Sequence, residues 1–309
     1  MSKRTIKVGS RQSQLAMWQT KYVVKILEQK CPEYNFEIIP IKTKGDKILD
    51  VALAKIGDKG LFTKELEVAI LEKKIDFAVH SMKDLPTVIP QGLMIAAITK
   101  RHDPRDVLIS KDKLTFDRLP SGALVGTSSL RRKAQLLNKR PDLKLVDIRG
   151  NINTRLKKME TENLDAIILA AAGVERLGLQ EVITEKLDTS ICLPAVGQGC
   201  IGIEVRAGDE EIQNIVRIAN DPDTEWCVLA ERALLKTLEG GCQIPIGALA
   251  KIHDSQLTLE AIVASLDGKT LLRDKITGKV QEAEILGQKL AHQLKEQGAT
   301  KILNQIRQG

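Results

Sequence analysis

Two segments of the sequence combine arginines with the pattern that opens a helix after a strand. They are residues 125–132 (VGTSSLRR) and residues 147–155 (DIRGNINTR). Each reads as an apolar strand, a small turn and the first turn of a helix, where free backbone N–H groups favour negative charge. Cations there oppose the helix dipole by roughly 0.3–1 kcal/mol each, so several of them need a compensating anion. Any one of these arginines alone would suit a solvated surface, but the repeated pattern predicts a site for a ligand with several carboxylates or phosphates.

A carboxylate is the second chemical feature. Residues 80–86 (HSMKDLP) follow a buried strand predicted at 77–80, and ligands of open α/β sheets bind beyond the carboxyl ends of strands. Taken alone, the pair Lys83 and Asp84 is more typical of adjacent surface charges. In an arginine-rich cleft, however, nearby cations would keep Asp84 ionised. It would then stabilise a cationic intermediate and accept or relay a proton.

A cysteine on a turn is the third feature. Cys242 lies in residues 238–247 (LEGGCQIPIG), where the glycines are expected to end a helix and Pro245 stiffens the exit. Most cysteines are inert small hydrophobic residues; the alternative for Cys242 is a nucleophile or an attachment point. The remaining cysteines lie near or in apolar elements and are interpreted as structural: Cys31, Cys192, Cys200 and Cys227.

The elements that must position these residues follow an alternating pattern from residue 5 to residue 99. The pattern predicts strands at 5–9, 36–43, 77–80 and 93–99, with helices that begin at Ser13 and, after a capping-like start, at Thr63. This is typical of an α/β unit with a largely parallel sheet. The charged, glycine-punctuated connection at 44–62 indicates a mobile lid or binding loop.

A second α/β unit is predicted after a crossing at residues 101–106. It holds both arginine segments and a strand at 166–172, and it closes with residues 193–199 (LPAVGQG); a strand at 201–205 and a helix from Asp209 would rejoin the first unit.

Beyond residues 221–223 the pattern changes to a helix that runs to Glu239, three strands and final helices from about Val280. The strands are expected at 247–252, 257–264 and 271–276, and the turns at 253–255 and 266–269 imply hairpins. A separate α+β domain with an antiparallel sheet is therefore expected.

The amino-acid composition is typical of a globular protein and argues against a nucleic-acid-binding protein. The 309 residues, 43% hydrophobic, predict a soluble globular chain with ordinary cores. A net charge of +7 would permit nucleic-acid binding, but only 3% of residues are aromatic and no long basic run occurs. We therefore expect no nucleic-acid partner and assign the excess charge to a cleft.

The cellular compartment is suggested by the first residues of the chain, by the lack of a long apolar stretch and by the cysteines. Residues 1–9 alternate as a strand does, with no signal peptide, and no stretch approaches the ~18 apolar residues of a membrane span. The five cysteines are irregularly spaced and the four histidines are scattered, which indicates neither disulfides nor a metal site. A cytoplasmic protein without a membrane partner is expected, and the lack of a coiled-coil pattern favours a monomer.

Together these motifs resemble the porphobilinogen deaminase family, also called hydroxymethylbilane synthase. The resemblance covers essentially the whole chain and rests on residues 8–16 (VGSRQSQLA), Lys83-Asp84, both arginine segments, residues 193–199 and residues 239–247. One departure is Cys200, where a plainer small residue is common in relatives. The resemblance implies two α/β domains like those of periplasmic binding proteins and a smaller C-terminal α+β domain. The expected boundaries are 1–99 with 200–217, then 105–193, then 222–309.

The family implies a definite reaction. It condenses four porphobilinogen molecules head to tail, with loss of ammonia, into the linear tetrapyrrole hydroxymethylbilane of haem biosynthesis. The primer is a dipyrromethane cofactor, which the enzyme makes from its own substrate and which a thioether would join to Cys242. Matched by position, Asp84 is the catalytic carboxylate. The cofactor would be bound by Lys83, Asp84, Thr127, Ser129, Arg131 and Arg132, and all of these except Asp84 would hold its acetate and propionate groups. The incoming or growing pyrroles would be held by Arg11, Ser13, Arg149, Arg155 and Arg176.

The chemistry of the residues supports this interpretation. Each pyrrole carries an acetate and a propionate, and charge-assisted contacts of roughly 1.5–3 kcal/mol can hold such groups, with arginine better suited to carboxylates than lysine. Six linked rings bring twelve carboxylates against six arginines and Lys83. We therefore expect the growing chain to shift past one reaction centre as the loop at 44–62 moves. A two-lobed anion receptor without catalysis is the alternative, and such a protein would have no need of Cys242.

Overall fold

The computed structural model describes residues 3–47, 61–239 and 244–308. The described residues fall into two compact units. The first contains residues 3–47, 61–102 and 200–225, and the second contains residues 103–199, 226–239 and 244–308. Within the described ranges the chain passes from one unit to the other after residues 102, 199 and 225.

Strands and helices alternate through most of the chain. The strands are β1 (Arg4–Arg11), β2 (Tyr34–Ile41), β3 (Phe77–Ser81), β4 (Leu93–Ile98), β5 (Asp106–Ser110), β6 (Leu124–Gly126), β7 (Lys144–Val146), β8 (Ala166–Ala170), β9 (Glu185–Lys186), β10 (Ile201–Arg206), β11 (Ile246–His253), β12 (Gln256–Ala264) and β13 (Leu271–Lys279). The α-helices are α1 (Gln14–Lys30), α2 (Lys44–Lys47), α3 (Lys64–Leu71), α4 (Leu130–Lys139), α5 (Ile152–Thr161), α6 (Ala171–Arg176), α7 (Glu210–Arg217), α8 (Pro222–Thr237), α9 (Ala283–Glu296) and α10 (Ala299–Gln308).

The first unit is built on a five-stranded sheet in the order β2-β1-β3-β10-β4. Strand β1 runs parallel to β2 and β3, whereas β10 is antiparallel to β3 and β4. The prediction that the strand after residue 200 rejoins this unit is confirmed. Apolar residues of α1, such as Val23 and Leu27, pack against one face of the sheet with Phe77, and Leu66 and Ile70 of α3 pack against the other.

The second unit contains a sheet of the same layout, in the order β7-β6-β8-β5-β9. Strand β6 is parallel to β7 and β8, and β5 is antiparallel to β8. Buried residues alternate along β5: Leu108 joins a core with Phe116 on one face, while Val107 and Ile109 join the core on the other. Because the carboxyl ends of β6, β7 and β8 meet at one edge, the segments that follow these strands lie along the same edge.

The second unit also contains a three-stranded antiparallel sheet, β11-β12-β13, covered by the helices α8, α9 and α10. Asp254 and Ser255 form the β11–β12 turn with φ of 47° and 62°, so the predicted hairpin is confirmed. A small cluster that includes Ala134 of α4 and Leu249 of β11 packs helix α4 against the three-stranded sheet. The mixed α/β fold class with a small antiparallel sheet agrees with expectation, and the division of this unit into domains 105–193 and 222–309 stays a prediction.

Several boundaries differ from the sequence prediction. The strand predicted at 166–172 ends at Ala170, and α6 begins at Ala171. The helix predicted from Thr63 forms, but the Thr63 side chain makes no capping hydrogen bond. The helix predicted to reach Glu239 ends at Thr237, and Glu239 takes the left-handed conformation expected of a glycine, with φ of 53°. Strand β5, directly after the predicted crossing, was not foreseen.

Two predicted features fall wholly or largely outside the described residues. The proposed lid at 44–62 is described only at Lys44–Lys47, which form α2, and at residues 61–62. Cys242 lies between the described ranges. None of the described helices has the length and apolar character needed to cross a membrane.

Candidate functional site

A small cavity of the first unit lies at the carboxyl ends of β1 and β3. Arg11 ends β1, and Ser13 caps α1 by accepting a hydrogen bond from the Ala16 amide at 3.3 Å. Asp84 ends a short 3₁₀ turn that follows β3. Because parallel β1 and β3 end at the same edge, the fold brings Arg11, Ser13 and Asp84 to one cavity, as the sequence predicted.

Side chains that were not foreseen complete this cavity. The guanidinium of Arg11 lies 4.2 Å from the centre of the Phe62 ring, a cation–π contact. Gln19 and Ser81 line the cavity, and their side chains are joined by a hydrogen bond of 2.9 Å. Phe62 is the last residue of the connection at 44–62 that was interpreted as a lid or binding loop, but nothing singled it out within that loop, and Gln19 lies within a helix pattern.

Asp84 is half-buried on the wall of this cavity. Within the described ranges its carboxylate has no hydrogen-bond or ion-pair partner. Lys83, the preceding residue, is also half-buried and does have a partner. The Asp84 carboxylate is therefore available to a cationic ligand in the cavity.

The first arginine segment, β6 to α4, takes the predicted strand-turn-helix form. Ser129 caps α4 by accepting a hydrogen bond from the Arg132 amide at 3.4 Å. Buried Thr127 accepts a hydrogen bond from the Ser129 amide at 3.3 Å, which fixes the turn. These contacts set the backbone from which Arg131 and Arg132 project.

Both arginines of this segment are buried and pair with one carboxylate. Arg131 Nη1 donates to Asp106 Oδ2 at 2.7 Å, and Arg132 Nη2 donates to Asp106 Oδ1 at 2.7 Å. Asp106 is fully buried at the start of β5. Burial would raise the pKa of its carboxyl, but the two guanidinium groups outweigh burial and hold that pKa well below its ordinary value. The anion that the segment needs for its own stability is thus partly supplied from within the chain.

Further donors surround Asp106. Gln198 Nε2 donates to Oδ1 at 2.9 Å, and the Cys192 thiol donates to Oδ2 at 3.2 Å. Burial and the neighbouring carboxylate raise the pKa of Cys192 to about 12, so this thiol stays protonated. Cys31, Cys200 and Cys227 are likewise buried free thiols, and the prediction that these four cysteines are structural agrees with their placement.

The second arginine segment, β7 to α5, is more open. Asn151 caps α5 by accepting a hydrogen bond from the Thr154 amide at 2.9 Å. Gly150 has φ of 116°, and a Cβ there would lie 2.5 Å from Thr154 Cγ2, so this turn requires glycine. Arg149 is half-buried and has no hydrogen-bond or ion-pair partner within the described ranges. Arg155 donates from Nε to the Gly150 carbonyl at 2.9 Å.

The remaining predicted arginine belongs to the same edge. Arg176 ends α6, which follows β8, and its Nη2 donates to the Gly199 carbonyl at 2.7 Å. The second unit therefore brings Arg131, Arg132, Arg149, Arg155 and Arg176 to segments that follow three adjacent strand ends. Across the described ranges no group of three or more His, Cys, Asp or Glu side chains is placed to hold a metal ion.

Comparison with known proteins agrees with these motifs. The model of the porphobilinogen deaminase dipyromethane cofactor binding domain matches residues 6–214, and that of the porphobilinogen deaminase C-terminal domain matches residues 226–296. The porphobilinogen deaminase of Moorella thermoacetica is 56% identical over 98% of this chain and 96% of its own length. That of Desulforamulus reducens is 55% identical over 99% of both chains. At these levels of identity and coverage, the chain belongs to the porphobilinogen deaminase family.

Proposed function

We propose that this chain is a transferase that deaminates four porphobilinogen molecules and joins them into hydroxymethylbilane. The observation that carries the proposal is the half-buried Asp84 carboxylate, which lines a cavity with Arg11 and has no partner within the described ranges. Such a carboxylate suits a reaction that passes through positive charge on a substrate whose own acidic groups need cations. Membership of the family supports the same reaction.

The residues present fit an acidic dipyrromethane. Arg132 is 5% exposed, and its Nε is a buried donor without a partner in the described structure. A ligand carboxylate would satisfy such a donor. We propose that Lys83, Thr127, Ser129, Arg131 and Arg132 hold the cofactor and that Cys242 attaches it. When bound, the cofactor supplies the terminal pyrrole carbon to which the first substrate is joined.

The protein's contribution to each condensation is binding and proton transfer. Arg11 and Ser13 would hold the acetate and propionate of the incoming porphobilinogen beside Asp84. Loss of ammonia from the aminomethyl group leaves a cationic methylene-pyrrolenine, and the Asp84 carboxylate stabilises this charge. A carbon–carbon bond then forms to the acceptor pyrrole, which gives up the proton from the carbon attacked. Asp84 is placed to take or relay that proton.

Replacement of Asp84 tests the proposal. We expect D84N to lower the rate of porphobilinogen consumption at least 100-fold, since positioned acid–base groups contribute roughly 10²–10⁴-fold. The wild-type chain should release four ammonia molecules for each linear tetrapyrrole, measured by ammonia assay and by absorbance of the oxidised product. The control is E72Q, which removes an exposed ion pair with Lys74 and should leave the rate unchanged. Equal rates for D84N and wild type would overturn the role of Asp84.

We further propose that the enzyme works as a monomer in the cytoplasm. Four of its cysteines are buried free thiols, which suits a reducing compartment. Size-exclusion chromatography with light scattering should give a mass near the chain's 34.1 kDa. A mass of twice that value across the concentration range, or recovery of the protein from a membrane or secreted fraction, would contradict this part of the proposal.

A further inference from the structure

The buried carboxylate of Asp106 has no role in the motifs that carry the proposed function, yet it organises the arginines that do. It lies outside both arginine segments, at the start of β5. Its two oxygens accept from four side chains: Arg131, Arg132, Gln198 and Cys192. A fully buried carboxylate with this many donors fixes its neighbours in one arrangement.

The geometry assigns a different oxygen to each arginine. Arg131 Nη1 donates to Oδ2 and Arg132 Nη2 donates to Oδ1, so one carboxylate holds the two guanidinium groups at a set separation. Each guanidinium is also held at its Nη1 by a backbone carbonyl, Leu193 for Arg131 at 2.7 Å and Ile168 for Arg132 at 2.9 Å. Neither arginine can turn without breaking two buried contacts.

The cluster of Asp106, Arg131 and Arg132 keeps a net positive charge and one hydrogen-bond donor that is not used within it. One carboxylate against two guanidinium groups gives a net charge of one positive. Arg132 uses Nη1 and Nη2 within the protein, and its buried Nε has no partner in the described ranges. A buried N–H without an acceptor is costly, and the acceptor that suits a net positive cluster is an anionic oxygen.

We propose that Asp106 is a positioning residue that preorganises Arg131 and Arg132 for a carboxylate of the dipyrromethane, with Arg132 Nε as the donor kept for it. This inference rests on the proposed function. A site held in its binding geometry before the ligand arrives loses less conformational entropy on binding. Asp106 therefore affects how fast and how firmly the cofactor is acquired, although it need not touch the cofactor itself.

The test measures cofactor acquisition by mass. The full chain is produced in cells that make no porphobilinogen, porphobilinogen is added, and the gain of two pyrrole units is followed by intact-protein mass spectrometry. We expect D106N to slow this gain at least tenfold and to reduce the rise in Tm that accompanies it. The matched control is D142N, which breaks the pair of Asp142 with Arg140 beyond the other end of α4 and should acquire the cofactor at the wild-type rate.

A second comparison separates positioning from folding. In an R132Q background, D106N should slow acquisition much less than in the wild-type background, because most of its effect passes through the Arg132 donor, whereas a merely structural role would slow acquisition equally in both backgrounds. If D106N alone does not fold, R131M is compared with D106N/R131M, whose cluster keeps the net charge of wild type. We then expect the double variant to acquire the cofactor at least fivefold more slowly than R131M.

The outcomes are distinct. The positioning role would be overturned if folded D106N acquired the cofactor at the wild-type rate and with the wild-type rise in Tm. Equal acquisition rates and Tm rises for D106N/R131M and R131M would overturn it as well. Either result would leave the proposed function intact. A wild-type chain that gains no mass from porphobilinogen would instead contradict the proposed function. Fully additive slowing by D106N and R132Q would show that Asp106 does not act through Arg132 and would overturn its role in presenting the Arg132 Nε donor.

Discussion

The two arginine segments share a sequence pattern but neutralise their charge in opposite ways. In the β6–α4 segment, Arg131 and Arg132 are buried and bound to Asp106. In the β7–α5 segment, Arg149 is half-buried and has no partner within the described ranges. Arg131 and Arg132 are fixed before a ligand arrives, whereas Arg149 has no counter-charge among the described residues and is open to one from a ligand. This difference suits a permanently held primer in the first case and a chain that changes length in the second.

The largest expected difference concerns stability. R132Q removes one partner of a buried ion pair, and breaking such a pair costs about 3–5 kcal/mol. R149Q removes a cation that has no partner in the part of the chain that the structure describes, so its effect on the free energy of unfolding should stay within about 0.5 kcal/mol. Denaturant unfolding of both variants measures the contrast. Similar decreases in the free energy of unfolding of R132Q and R149Q would contradict the proposed difference between the two arginine segments.

The acid dependence of stability sharpens the comparison. The folded-state pKa of Asp106 is lowered, so its contribution is fully present above the unfolded value of about 3.9 and is lost as pH falls from there toward the folded pKa. We therefore compare the free energies of unfolding of wild type and D106N/R131M. The difference between them should decrease by about 1.4 kcal/mol for each pH unit below that value. R149Q relative to wild type should show no such slope. A pH-independent difference for the Asp106 variant would contradict the account.

The smallest expected effect concerns elongation. R149Q should acquire the two-pyrrole primer normally but slow turnover about tenfold, a change of about 1.4 kcal/mol in barrier height. Partly elongated enzyme should then accumulate as distinct masses during turnover, and R155Q should trap a different distribution. Uniform slowing without trapped species would count against a growing chain that passes these arginines in turn.

Local patterns predicted local structure well. The β6–α4 and β7–α5 units were foreseen because capping residues and apolar alternation are read within a few positions, and Ser129 and Asn151 do cap their helices. Arg11 and Asp84 were expected at one site from the family resemblance, and in the structure they meet because parallel β1 and β3 end at one edge. The end of α8 was misplaced because Glu239 takes the left-handed conformation that the pattern assigned to Gly240.

What the sequence could not predict depends on contacts far apart along the chain. Asp106 meets Arg131 and Arg132 across 25 and 26 positions, and Gln198 across 92. No local pattern contains such pairs. The only local feature that the sequence offers is one acidic residue, Asp106, directly before the apolar residues 107–109. Arginines at a helix start do need an anion, but for Arg131 and Arg132 part of that anion is Asp106 of the protein itself.

The intact mass of the purified chain tests the central claim most directly, namely that a primer is joined covalently to Cys242 and held by the first arginine segment. Wild-type protein should exceed its sequence mass by two pyrrole units, and C242S should show the sequence mass alone, with C227S as a control that keeps the added mass. A wild-type chain at its bare sequence mass, or an adduct that persists in C242S, would contradict the account.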